Sequence, residues 1–285
     1  MSRLDTAMII ADKNMVDVPE QFRKIRYKRI TPLAVEDNVE EHFYRFWQQN
    51  NFNSERVYLP VFWTDYYYRN GHAKCIEELQ KFLNELPNDK KYFTIIQYDD
   101  GICNNISHLD LYVFSSAGCG TKTIPWIEYN ISQVPMWEKP TWVHFRGHRT
   151  HPMRELILNS SLKNDIRNII SDAIISIDEY LKETGKTTFV LCPRGYGRNS
   201  FRFYEAFATG SIPVYIYDEL ILPYQDEINW EEISILLHYS EFSKLNDILN
   251  LADITSMRAK GKIIYEKYLT FDAVTRYIYE KIKRI

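Results

Sequence analysis

The stretch "CPRGYGRNSFRFYE", residues 192–205, carries Arg194, Arg198 and Arg202 with no acidic residue between Cys192 and Tyr204. Gly195 and Gly197 let the backbone turn tightly, and Asn199 or Ser200 can cap a helix that follows. Arg202 then falls in the first helical turn, where the macrodipole disfavours a cation by roughly a few tenths of a kcal/mol. Three cations at the positive end of a helix make sense around a bound anion, because free N–H groups and arginine forks together form a phosphate site. Carboxylates folding in from elsewhere are the plain alternative. Glu205 follows Arg202 by three residues and shares its helix face. The two could pair, or they could divide a nucleotide between them, with arginine on phosphate and carboxylate on the ribose hydroxyls. The spacing is neither a Walker A loop nor a complete G-x-G-x-x-G, since its last position is Ser200.

Elements around this turn must hold it in place. "TTFVLC" (187–192) reads as a strand, "SFRFYEAFAT" as a helix closed by Gly210, and "IPVYIYD" (212–218) as the next strand. Upstream, "TWVHF" (141–145) is a predicted strand and "HPMRELILNSS" a short helix. The run 161–185 is predicted as one long helix, with Leu162, Ile166, Ile169, Ile170, Ala173, Ile174, Ile177 and Leu181 on one face and Gly185 as its cap. The first half has short apolar runs, "RVYLPVFW" (56–63), "KYFTIIQY" (91–98) and "DLYVFSS" (110–116), read as buried strands. Between the first two, 72–86 has amphipathic helical spacing ended by Pro87. Strand–helix–strand series in both halves predict two parallel α/β layers, with "QVPMWEKP" (133–140) as connector. Ligands of such layers bind at the carboxyl ends of the strands.

The 285 residues suit two lobes, and 45% apolar with 26% charged residues is an ordinary globular composition. Aromatic residues reach 15%, and those at 58–68 could stack on sugar rings or fill a core. A net charge of −3 with no basic tail argues against nucleic acid as a partner. Cys75, Cys103, Cys119 and Cys192 form no C-x-x-C pair and read as free thiols in a reducing compartment. The first residues are too poor in apolar side chains for a signal segment, and no window is long enough to span a membrane, so a soluble cytoplasmic protein is expected.

Taken together, "FVLCPRGYGRNSFRFYEAFATGSIPVYIYDE", then "LPY" and "INW", resembles the C-terminal signature of exostosin-like glycosyltransferases, glycosyltransferase family 47. In that family a strand ending in Cys-Pro leads into a Ser-x-Arg-x-x-Glu-Ala helix, followed by a Gly-x-Ile-Pro-Val strand, an aspartate and a tryptophan. Ser200, Arg202, Glu205, Ala206, Gly210, Ile212, Pro213, Val214, Asp218 and Trp230 match. Further segments are similar around Pro60, around Asp99 in "YFTIIQYDDG", and around Phe145, Gly147 and Arg154. Many family members carry an N-terminal membrane anchor. Without one, this chain looks like a minimal soluble version of the kind that bacteria or large DNA viruses encode.

The resemblance implies an α/β fold of GT-B type, two Rossmann-like doubly wound lobes with a cleft between them. Residues 1–138 are expected to form the acceptor-side lobe and 139–268 the nucleotide-sugar lobe, with 269–285 a C-terminal helix packing back on the first. The implied reaction is inverting transfer of a sugar from a UDP-sugar, with a lean to UDP-xylose, to a hydroxyl of a glycan or glycoprotein acceptor. A catalytically inactive nucleotide- or carbohydrate-binding module on the same scaffold is the alternative. Arg146, Arg154, Arg194, Arg198, Ser200 and Arg202 are the expected diphosphate ligands, and Glu205, Pro213 and Tyr217 the nucleoside side. The general base is expected at Asp99, with Asp100, Asp65 and more distantly His144 as alternatives. No metal or other cofactor is expected: no Asp-x-Asp pair stands ready, and the H-x3-H spacing of His144 and His148, followed by His151, has Gly147 inside it.

Overall fold

The structure, a computed structural model, describes residues 10–11, 14–25, 28–50, 52, 54–131 and 137–285. In chain order its first half contains strands β1 (Ile10–Ala11), β2 (Met15–Val16) and β3 (Ala34–Glu36), helix α1 (Val39–Gln49), β4 (Val57–Tyr58), and helices α2 (Trp63–Arg69) and α3 (Glu77–Asn84). Strands β5 (Lys91–Ile96), β6 (Asp110–Ser115), β7 (Lys122–Thr123) and β8 (Tyr129–Ile131) follow. The chain divides into two compact units. One comprises residues 1–28, 37–124 and 271–285, the other residues 29–36 and 125–270. The division thus falls at 124–125 rather than 138–139. Residues 29–36 join the second unit because β3 pairs antiparallel with β8. Of the expected connector, residues 133–136 lie outside the described residues, and 137–140 belong to the second unit. The opening residues read for a signal segment lie mostly outside them as well.

The first unit is built on the sheet β1-β2-β4-β5-β6-β7, parallel except at β1–β2. β5 alternates little because both of its faces are covered, as the near-continuous run Tyr92–Ile96 requires. Tyr58, Phe62, Trp63, Tyr66 and Tyr67 are all buried, so the aromatics of 58–68 are core. The expected strand 56–63 is cut short at Tyr58, and Trp63 already begins α2. Helix α3 starts at Glu77 rather than 72, because Gly71, His72 and Ala73 take left-handed conformations (φ 66°, 57° and 61°).

The second unit continues with β9 (Thr141–Arg146), α4 (Pro152–Leu158), β10 (Ile169–Ser171), α5 (Ile177–Gly185), β11 (Thr187–Pro193), α6 (Phe201–Ala208), β12 (Ile212–Tyr217) and β13 (Ile235–His238). Then come α7 (Leu245–Leu251) and α8 (Ile254–Ile264), and α9 (Phe271–Ile282) returns to the first unit. The sheet order β10-β9-β11-β12-β13 is wholly parallel, a doubly wound layer whose order reverses between β9 and β11. Val143, Phe145, Phe189, Leu191, Val214 and Ile216 form its centre.

The single helix expected over 161–185 is a correction. A short 3-10 turn (Ser161–Asn164) leads instead to edge strand β10, in which Ile169 and Ile170 pair with His144 and Phe145 of β9. Ile166 and Ile174, assigned to a buried face, are 99% and 83% exposed. Helix α5 begins only at a complete Ser176/Glu179 capping box, a local start signal that the long apolar periodicity overrode. Gly185 ends α5 without a left-handed turn. Its lack of a side chain serves Trp137, whose ring would lie 1.9 Å from a Cβ there. Gly210, by contrast, does close α6 at φ 69°.

Candidate functional site

Where the strand order of a doubly wound sheet reverses, two adjacent carboxyl ends diverge and leave a crevice. In the second unit this point lies between β9 and β11. The segment after β9 carries Arg146, Gly147 and α4, and the segment after β11 is the arginine turn.

Two of the three turn arginines have carboxylate partners. Arg194 Nη1 donates to Asp218 Oδ2 at 2.9 Å and Oδ1 at 3.2 Å, and exposed Arg198 stands 3.6 Å from Glu219. The absence of acids within the turn was therefore no guide to pairing for these two, because their partners follow β12. Arg146 is also compensated: its Nε and Nη2 grip Glu183 of α5 at 2.6 and 2.9 Å. His144 Nε2 lies 3.1 Å from the same carboxylate. Burial raises the Glu183 pKa, but the hydrogen bonds of His144 and Arg146 outweigh it and hold the group at about 2. Burial pushes the His144 ring down, and its full enclosure against Glu183 keeps it from any acceptor hydroxyl.

Arg154 and Arg202 differ. Neither comes within 4 Å of a carboxylate among the described residues. Arg154, on α4, is 7% exposed; its Nε donates to Arg194 O at 3.0 Å and its Nη1 to His148 O at 3.5 Å. Arg202 Nε donates to Arg146 O at 3.2 Å, while its buried Nη1 has no partner among the described residues. Burial, reinforced by the charge of Arg202, pushes Arg154 down to about 9. Two glycines make room for these groups. A Cβ on Gly147 would meet Arg202 Nη2 at 3.1 Å and Arg154 Nη1 at 3.4 Å, and one on Gly195 would meet Arg154 Nη2 at 2.8 Å. Ser200 occupies the N-cap of α6 with extended backbone, yet its hydroxyl makes no capping bond and is buried without a partner among the described residues.

One turn along α6, Glu205 is 4% exposed, and neither carboxylate oxygen has a hydrogen-bond partner among the described residues. Burial raises it to about 8, against the opposing pull of Arg202 and the Tyr180 hydroxyl. Glu205 does not hydrogen-bond Arg202. It lines a narrow cleft with Trp126, Tyr129, Phe201, Tyr204 and Tyr265. Tyr217 ends β12, its ring stacked 5.7 Å from Tyr215. Pro213 does not join the site: paired with Val190, it sits near the start of β12, toward the opposite end of the sheet from the turn.

In the first unit, Asp99 lies half-buried in the turn after β5, its carbonyl 3.8 Å from the Cys119 thiol, and Asp100 is exposed. Asp65 is 2% exposed on α2, where Asn38 Nδ2 donates to it at 3.4 Å, so burial takes it away from any acceptor hydroxyl. Beside it stands Glu40, which sequence reasoning missed. Its Oε1 accepts from Gln97 N at 2.8 Å and from the Thr64 hydroxyl, and burial, with Asp65 adding, raises it to about 8. Glu183 and Tyr180 were missed too, though the capping box and a Tyr-x-x-Glu spacing on one helix face marked α5 as an element worth inspecting.

Among the described residues no group of three or more His, Cys, Asp or Glu side chains gathers in a way that could hold a metal ion. His151 caps α4 through Met153 N, and His144 faces Glu183. All four cysteines are free, and no described helix is long and apolar enough to cross a membrane.

Residues 127–251 match the exostosin GT47 domain. A probable glucuronosyltransferase of Oryza sativa subsp. japonica is 35% identical over 85 residues, which is 30% of this chain and 20% of that protein. An exostosin-1 homolog of Caenorhabditis elegans is 30% identical over 112 residues, 36% of this chain and 29% of that protein. The matched stretches thus span less than a third of these relatives. Among solved structures, a chain of the GtfA/B complex aligns over 87% of this chain and 61% of its own, with a TM-score of 0.44 and 10% identity. The segment similar to the exostosin GT47 domain, residues 127–251, holds Arg154, Arg202, Glu205 and the turn before α6.

Proposed function

We propose that the protein is an inverting glycosyltransferase of GT-B type that moves a sugar from a UDP-sugar to a hydroxyl of a glycan acceptor. The observation that carries this reading is the Arg154–Arg202 pair, a buried and a half-buried cation at a sheet's switch point with no carboxylate within 4 Å among the described residues. A diphosphate supplies the missing charge, and the gain is largest as that charge grows in the transition state. Ser200 Oγ and the N–H groups opening α6 add donors to the same anion.

Glu205 would then stand on the nucleoside side, its carboxyl group meeting the ribose hydroxyls. In the reaction the acceptor oxygen bonds to the sugar's anomeric carbon as the bond to the diphosphate oxygen breaks. The bonding pair leaves with UDP, and the acceptor's proton goes to a general base, for which Asp99 is the candidate. UDP-xylose is the first donor to try, and UDP-glucuronate the second, because relatives of the matched segment are named as probable glucuronosyltransferases.

The test is calorimetric titration with UDP, GDP and NAD in the presence of EDTA, followed by a transfer assay with UDP-sugars. Selective UDP binding that disappears in Arg202→Ala is expected. Absence of nucleotide binding would sink the reading, whereas binding without any transfer or donor hydrolysis would favour an inactive binding module.

A further inference from the structure

Helix α6 has a second end. Its eight residues rise about 12 Å, which separates the arginine turn from the groups around Thr209 and Gly210. There the second unit has a cavity of about 510 Å³, within the range of small-ligand sites. Trp137, Phe207 and Tyr265 supply apolar wall, and Lys139, Arg258 and Lys262 face it against a single carboxylate, Glu266.

These cations are held in place without being neutralised. Lys139 Nζ donates to Thr209 O at 3.1 Å and Ser211 Oγ at 2.9 Å, and Arg258 Nε donates to Gly210 O at 3.1 Å. Such bonds cap the carbonyl end of α6, but they use only part of each group's donor capacity. Neither Lys139, Arg258 nor Lys262 lies within 4 Å of a carboxylate among the described residues. Burial, with Arg258 adding, pushes Lys139 down to about 7, as expected for an ammonium lacking a counter-charge. The Trp137 ring is seated on Gly185, where any side chain would collide with it, and so forms a fixed flat platform.

We propose that this cavity is a second binding site, for a sugar ring that carries a negative charge. The ring would lie on the aromatic wall and its carboxylate or phosphate would meet Arg258, Lys139 and Lys262. The cavity adjoins the Glu205 cleft, with which it shares Tyr265, but its cations are distinct from those of the arginine turn.

The test measures binding of methyl β-glucuronide, glucose 6-phosphate and the neutral methyl β-glucoside to the full chain by calorimetry. Expected is a margin of at least about ten-fold for a charged over the neutral ligand, the scale of one charge-assisted hydrogen bond. That margin should vanish in Arg258→Gln and persist in Arg202→Ala, while UDP binding is unchanged in Arg258→Gln. Whichever charged ligand binds tighter identifies carboxylate or phosphate as the recognised group. Equal binding of charged and neutral ligands overturns the proposal. So does a margin lost in Arg202→Ala but kept in Arg258→Gln, since the anion would then occupy the arginine turn. Should Arg258→Gln not fold, exposed Lys262→Gln reads the same margin.

Discussion

Arg154 and Arg202, forty-eight residues apart in the chain, close on Gly147 from two sides, with Nη atoms 3.4 and 3.1 Å from where a side chain would begin. Their charges lie side by side without an acid between them. On the proposed reading, a bound anion would offset the cost of this arrangement by mass action on the folded state.

Gly147→Ala tests this relationship directly. Gly147 has no positive φ, so alanine meets no backbone strain there. The new methyl would crowd Arg202 Nη2 at 3.1 Å and the buried Phe145 ring at 3.2 Å. UDP affinity should fall about ten-fold, one lost charge-assisted contact, as read by titration.

Glu205→Gln separates binding from stability. With its carboxyl raised from 4.5 to about 8, Glu205 favours the folded state fully only below its unfolded pKa. That contribution is lost as pH rises through about 8. Glutamine stays neutral, so the variant should gain on the parent by the order of a few kcal/mol between pH 5 and 9. Its affinity for UDP should nevertheless drop. Urea unfolding across that pH range, with UDP titration at pH 7, reads both.

Glu40→Gln should show the same sign in the first unit, since Glu40 is also raised from 4.5 to about 8. Glutamine can still accept from Gln97 N and Thr64, so the fold is kept. Glu40→Ala leaves those donors buried and unpaired and should destabilise by about 1–3 kcal/mol. If the glutamine variant instead loses stability at pH 8, the carboxyl is ionised in the folded protein.

Asp99→Asn addresses the base. Turnover should fall by roughly 10²–10⁴ with the UDP dissociation constant unchanged. Full turnover in this variant would move the base elsewhere, and Asp100→Asn would be next.

Much of the second unit was legible because its signals are local. Strands β9, β11 and β12 and helix α6 follow from short apolar runs, glycine stops and helical spacing. Misreading 161–185 as one helix had a local cause as well. Isoleucines at helical spacing also suit an edge strand and loops, and only pairing with β9 decides which. Aromatics at 58–68 were ambiguous for a similar reason, since a ring suited to a sugar is equally suited to a core.

The sequence by itself determined that a turn rich in arginine precedes a helix bearing Ser200, Arg202 and Glu205. Such a turn is specified by residues within a few positions of one another. Which charges remain free was decided by the tertiary structure alone. Asp218 reaches Arg194 from beyond β12, and Glu183 reaches Arg146 from α5. Arg154 comes in from α4 to stand beside Arg202. Coulomb interactions act over ångströms of space rather than positions in the chain, so parallel strand order, which sets those distances, chose the site's charge.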